Sequence, residues 1–159
     1  TYRELMLNET FKSIIKDTLS RMELVNSKFN SPEAVDLIYE TAVTESGNFK
    51  YLKQIKGPAI GFTQLEPETV WDCWENYIVY RDVVKHFFEE ELGFNHNDLV
   101  FNVLTNLSLQ IAFTRIWYYR RPGKIPKTIE KRAEYWKKHY NTIKGKGTVE
   151  HYLELNKGG

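Results

Sequence analysis

Apolar residues recur along this chain at helical spacing, with little strand alternation. Phe11, Ile14, Ile15, Leu19 and Met22 share one face, and Asn8 is placed to cap a helix running to about Val25. Asn26 to Asn30 reads as a loop. Ser31-Pro32-Glu33 is a helix start, with serine as N-cap and proline at the first helical position, where a missing N–H costs nothing. Ala34, Ile38, Thr41 and Ala42 then continue a stripe widened by Leu37, and Gly47 stops the helix. Residues 48 to 66 read as loop with a short hairpin at most, since Phe49-Lys50-Tyr51-Leu52 gives only a faint strand signal.

Beyond Pro67 the same period predicts a long helix to Leu92, carried by Val70, Trp71, Trp74, Tyr77, Ile78, Val84 and Phe88 and ended by Gly93. Asn97 is placed to cap a helix to about Tyr119, and Arg121 to Pro126 is a proline–glycine loop. Thr128 to Asn141 and Val149 to Leu155 complete the set. With no repeat, linker or low-complexity stretch, the expectation is one all-α domain over residues 1–159.

Glu45 changes the picture from fold to chemistry. It lies three positions after Ala42 and seven after Ile38, at the edge of the face that should be buried. Apolar neighbours raise a carboxyl pKa by desolvation, and the negative end of the helix dipole acts the same way. A carboxyl that stays protonated near neutral pH is what a glycosidic general acid requires. A plain solvated glutamate at a helix end is the competing reading.

The downstream segment bears on that choice. Gly57-Pro58-Ala59-Ile60-Gly61-Phe62-Thr63-Gln64-Leu65-Glu66-Pro67 holds a glycine-bracketed turn, where backbone can approach a ligand closely. Its Gln64 can both donate and accept a hydrogen bond. Glu45-Ser46 followed by this run resembles the active-site core of the lysozyme-like lytic transglycosylases. That family carries a Glu-Ser, then Gly-Ala-x-Gly-Leu-Met-Gln-Leu-Met-Pro. The present chain departs by one extra residue within Gly57 to Gly61, by Phe62-Thr63 for Leu-Met, and by Glu66 at the second Met position. With these departures, the resemblance implies a divergent branch of that family.

His139-Tyr140-Asn141-Thr142, followed by Gly145-Lys146-Gly147, is similar to the family's Ala-Tyr-Asn-Ala-Gly motif, sharing only Tyr-Asn. Tyr140 as a helix-end aromatic packed on the core is the alternative. The apolar run Asn106 to Tyr119 resembles the central helix such domains bury, so the resemblance covers about Ser31 to Gly147.

The resemblance implies a lysozyme-like helical domain and an enzyme cleaving the β-1,4 bond between N-acetylmuramic acid and N-acetylglucosamine of peptidoglycan. Glu45 is its implied catalytic residue. Ser46, Gly61, Gln64, Glu66, Tyr140 and Asn141 are the implied substrate-binding or orienting residues. With one confident carboxylate, the implied products carry 1,6-anhydromuramic ends. Hydrolysis of the same bond by a lysozyme is the nearest rival. A non-catalytic phage virion protein that kept the fold is the rival of a different class.

Composition permits this. Hydrophobic residues make up 42% and aromatics 14%, with 4 Trp, 10 Tyr and 9 Phe, enough for one core in 159 residues. No run of 18 apolar residues exists, so no membrane span is expected. Cys73 is the one cysteine, which excludes an internal disulfide and reads as a small core residue. His86, His96, His139 and His151 form no His-Glu-x-x-His pattern, so no metal is expected, nor any cofactor, since phosphate-loop and dinucleotide fingerprints are lacking.

Charge is uneven. Residues 119 to 159 hold eleven Lys and Arg against four Asp and Glu, and the remainder of the chain is acidic. A basic tail fits a solvated face, an anionic wall polymer or nucleic acid, the last being least favoured because no nucleic-acid motif accompanies it. Thr1 to Met6 shows no basic start leading into an apolar run, so no secretory signal is expected. The resemblance, with the small size, extends to phage-encoded wall enzymes, virion-carried or released at lysis, with peptidoglycan and other virion proteins as implied partners.

Overall fold

A computed structural model describes residues 1–54, 57–142 and 145–158. Among them are eight α-helices and no strand: α1 (Tyr2–Glu23), α2 (Pro32–Glu45), α3 (Pro67–Asn76), α4 (Asp82–His86), α5 (Leu99–Leu104), α6 (Leu107–Tyr119), α7 (Ile129–Trp136) and α8 (Val149–Leu155). The all-α expectation holds. No single helix among the described residues is long and apolar enough to cross a membrane.

The first helix starts earlier than Asn8. Thr1 Oγ1 accepts the Glu4 N–H at 3.1 Å, and the Glu4 carboxylate takes the Thr1 ammonium at 2.9 Å, a reciprocal cap. The Asn26 to Asn30 loop contains a 3₁₀ turn, Ser27–Phe29, that buries Phe29. Among the described residues of the 48–66 segment there are two isolated antiparallel bridges, Lys53 with Ile60 and Ile60 with Leu65, and Phe49 to Leu52 is turn and bend rather than strand; residues 55 and 56 lie outside the described residues.

Two long helices expected from periodicity are broken. The 67–92 stretch is α3, a 3₁₀ turn (Ile78–Tyr80), α4 and a π turn (Phe87–Glu91). At its break, Arg81 lies over the Tyr77 ring at 3.7 Å and donates to the Tyr77 carbonyl at 2.8 Å, giving that helix-end acceptor a partner outside the helix ladder. The 97–119 stretch bends by 109° between α5 and α6. Asn106 caps α6 there, accepting the Leu109 N–H while donating to the Leu92 carbonyl. Gln110 donates to the carbonyls of Val103 and Leu104, so the α5 end is satisfied by side chains. The period survives both breaks because each piece still faces the same core.

The α6 helix is the centre of that core. Residues Leu109 to Ile116 are all buried, and the helix packs on α1, α2, α3 and α5. Cys73 is fully buried beside it, as expected of a core residue. A satellite cluster of Leu37, Tyr118, Ala133, Tyr135, Trp136 and Tyr152 joins α7 and α8 to α2. Buried Glu40 of α2 pins that junction. It takes the Arg132 guanidinium at 2.8 and 2.9 Å and the Tyr152 hydroxyl at 2.7 Å, while Asn156 reaches its backbone carbonyl. Such a charge pair is tolerable in the interior because the carboxylate is saturated with donors.

Candidate active site

The helix that carries Glu45 begins as the sequence predicts. Ser31 Oγ accepts the Ala34 N–H at 3.0 Å and Pro32 opens the first turn. Glu45 is the last residue of α2, and the chain turns through Gly47, Asn48 and Phe49, all at positive φ. Ser46 makes that turn possible. Its Oγ donates to the Ala42 carbonyl at 2.6 Å and accepts the Phe49 N–H at 2.7 Å. It is fully buried. Ser46 is thus a structural knot and does not reach the cleft, contrary to its expected role toward substrate.

Gly61 is corrected in the same way. Its φ is +82°, and a Cβ there would lie 2.7 Å from the Gln110 side chain. The close approach serves Gln110, whose Oε1 accepts the Phe62 N–H at 3.0 Å, and not a ligand. The turn it opens presents Gln64. Gln64 has φ +52° and holds itself by donating from Nε2 to the Gly61 carbonyl at 2.8 Å. Ile60 and Leu65 close the turn with two backbone hydrogen bonds at 2.8 Å each.

Glu45, Gln64, Glu66, Tyr140 and Asn141 line one open cleft of about 1030 Å³. Segments far apart in sequence therefore meet there. Tyr140 is anchored by donating its hydroxyl to the Thr63 carbonyl, and its ring stacks on Tyr118 at 5.2 Å. It is both a core-packed aromatic and a wall of the cleft. Glu66, at the N-cap position of α3, is exposed and makes no side-chain cap.

The electrostatics single out Glu45. Burial pushes its carboxyl up from 4.5 to about 7, against the Asn141 side chain and the Lys137 charge, which both pull it down. Lys137 also fixes Asn141: its Nζ donates to Asn141 Oδ1 at 2.9 Å and to the Gly145 carbonyl at 3.1 Å. An ammonium only donates, so the amide oxygen faces Lys137 and the amide nitrogen is left for the cleft. Burial, with Glu45's charge next, pushes the Tyr140 hydroxyl far above its ordinary range, which keeps it neutral.

Lys137 is readable in the sequence only as part of a basic and aromatic stretch around Trp136 and not as a residue beside Glu45, although its spacing of four from Asn141 on one helix is a signal. Tyr51, Gln54 and His151 on the cleft walls have no local pattern that marks them. Glu45 stands among neutral amides and aromatic rings, with Glu66 and Lys146 also on the cleft wall, so the arrangement can bind a polar ligand and deliver a proton to it. No group of three His, Cys, Asp or Glu side chains converges to hold a metal among the described residues. Compared with known protein families, with curated proteins and with solved structures, the chain matches none.

Proposed function

We propose that this protein is a lysozyme-like, peptidoglycan-cleaving enzyme acting as a lytic transglycosylase, with Glu45 as its acid and base. The observation that carries the reading is the Glu45 carboxyl, half-buried at a helix end in the cleft and holding its proton to about pH 7. The resemblance of the Glu45-Ser46, Gly61-to-Gln64 and Tyr140-Asn141 segments supplies the substrate.

Glu45 donates its proton to the glycosidic oxygen, and the bond from that oxygen to C1 of N-acetylmuramic acid breaks. The muramic N-acetyl group stabilises the cation at C1. The Glu45 carboxylate then removes the C6 hydroxyl proton, and O6 bonds to C1 as a 1,6-anhydro ring. Glu45 ends protonated, ready for the next bond. Gln64 and Asn141 offer amide groups to orient the acetyl group or Glu45, and Tyr140 shapes the wall. Peptidoglycan is the proposed partner, reached as a phage-encoded wall enzyme, free or virion-carried.

Glu66 favours a second reading. It is the other carboxylate on the described cleft wall, and hydrolysis needs such a partner to activate water. A zymogram of cell-wall material with wild type and Glu45→Gln tests the proposal. Clearing by wild type and a loss of about 10²- to 10⁴-fold in the variant is expected from removal of general acid–base catalysis. Clearing by Glu45→Gln at the wild-type rate overturns the assignment. No clearing by either protein leaves the non-catalytic virion role in its place.

A further inference from the structure

Among the described residues, the Glu45 cleft is lined by three Tyr and Trp rings, Tyr51, Trp136 and Tyr140, and two of them are engaged elsewhere. Trp136 is fully buried in the cluster that joins α7 and α8 to α2. Tyr140 is tied by its hydroxyl to the Thr63 carbonyl and by its ring to Tyr118. Tyr51 is 44% exposed and packs into neither hydrophobic cluster of the described residues. The turn after α2 does not need it as an anchor. Phe49 fills that role against Phe11 and Phe62, with ring centroids at 4.8 and 5.2 Å.

Tyr51 is nevertheless held in place. Its N–H, like that of Lys50, donates to the Ser46 carbonyl at 3.0 Å, one residue past Glu45. On its other side the Leu52 carbonyl accepts the Gly61 N–H at 2.6 Å, which ties the backbone to the turn that presents Gln64. The ring lies against Gly47, where a Cβ would stand 3.2 and 3.3 Å from two of its carbons. Glycine at that position therefore serves the ring as well as the turn. A side chain whose backbone is already fixed loses less freedom when a ligand covers it.

A β-1,4-linked pyranose carries its polar substituents around the rim and turns the axial hydrogens of C1, C3 and C5 to one face. That face is flat and apolar. It matches an aromatic ring, whose negative π-face attracts the weakly positive hydrogens. We propose that Tyr51 is a sugar platform of the cleft, its ring stacking on an N-acetylhexosamine ring of the glycan strand beside the bond that Glu45 cleaves. The proposal rests on the glycan-cleaving reading of Glu45 and adds a residue that holds the strand. Stacking is made alike in substrate and transition state, so Tyr51 acts on binding more than on the chemical step.

Titration of the Glu45→Gln protein, used to prevent turnover, with the β-1,4-linked trimer of N-acetylglucosamine tests it by NMR. The C1, C3 and C5 hydrogens of a bound sugar should shift upfield in the ring current beneath them. In the same background Tyr51→Leu keeps apolar bulk without a flat ring and should weaken binding about tenfold, the scale of one aromatic contact. Tyr51→Phe and Tyr51→Trp should bind as Tyr51 does. Against peptidoglycan, with Glu45 intact, Tyr51→Leu should raise KM more than it lowers kcat. Undiminished binding by Tyr51→Leu overturns the platform, as does binding without upfield shifts or an equal loss in Tyr51→Phe. No binding of the trimer also overturns it, and a zymogram that still clears then leaves the Glu45 reading standing. Binding that depends on Tyr51, in a protein that clears no cell wall, keeps the platform and removes the cleavage.

Discussion

Glu45 carries a cost that makes it measurable without any substrate. Its carboxyl holds a proton to about pH 7 in the folded chain, against 4.5 for the free side chain. Between those values the native state binds a proton that the unfolded state has released. Stability therefore falls as pH rises through this window. The penalty is absent below about pH 4.5, complete above about pH 7, and about 3 kcal/mol at its full size. Glu45→Gln removes it, so urea unfolding should find the variant more stable than wild type at pH 8 and equal at pH 4. Equal differences at both pH values would deny the burial effect. Lys137 opposes that effect, so Lys137→Met should raise the Glu45 pKa further, read as the carboxyl carbon shift by NMR. Lys137→Arg, which keeps charge and donors, should restore it. An unmoved titration in Lys137→Met would remove Lys137 from the site.

The α2 helix was fully legible because its signals are local: a serine cap, a proline at its first position, a glycine just past its end. The 67–92 and 97–119 stretches were legible in composition but not in continuity. Their breaks depend on Arg81 reaching Tyr77 and on Asn106 and Gln110 reaching carbonyls of neighbouring segments. Periodicity is blind to such contacts. The Gly61 to Gln64 turn was located correctly, but what Gly61 makes room for lies 49 positions away at Gln110. Gln64 at φ +52° bears a backbone cost that glycine would not. Both Gln64→Ala and Gln64→Gly should lose activity, yet the glycine variant should be the more stable by about 1 kcal/mol. A calorimetric Tm for Gln64→Gly at or below that of Gln64→Ala would contradict this. The junction of α7 and α8 with α2 had no sequence signal, since Arg132 and Glu40 are 92 positions apart. Arg132→Met leaves Glu40 buried and unpaired and should cost about 3–5 kcal/mol by urea unfolding. A loss under 1 kcal/mol would show the pair to be dispensable.

At the scale of the whole molecule, the cleft is an assembly of pieces held from behind. The Glu40 cluster fixes α7 and α8 on α2, and Tyr140 ties the end of the α7 segment to the Thr63 carbonyl. Glu45, Gln64, Glu66, Tyr140 and Asn141 were readable from three short motifs, whereas Tyr51, Gln54, Trp136 and His151 on the walls of the same cleft were not. The division between residues that face it and residues that only shape it was not, as Ser46 and Gly61 demonstrate. Burial depends on the partners each side chain meets, and a motif does not record them. The most direct test of glycan-strand cleavage by a single acid–base glutamate is mass analysis of muropeptides after complete digestion of purified peptidoglycan. The expected fragments carry 1,6-anhydromuramic ends, one water lighter than reducing ends and resistant to borohydride. Fragments with only reducible ends would contradict the transglycosylase mechanism and make Glu66 the next residue to mutate.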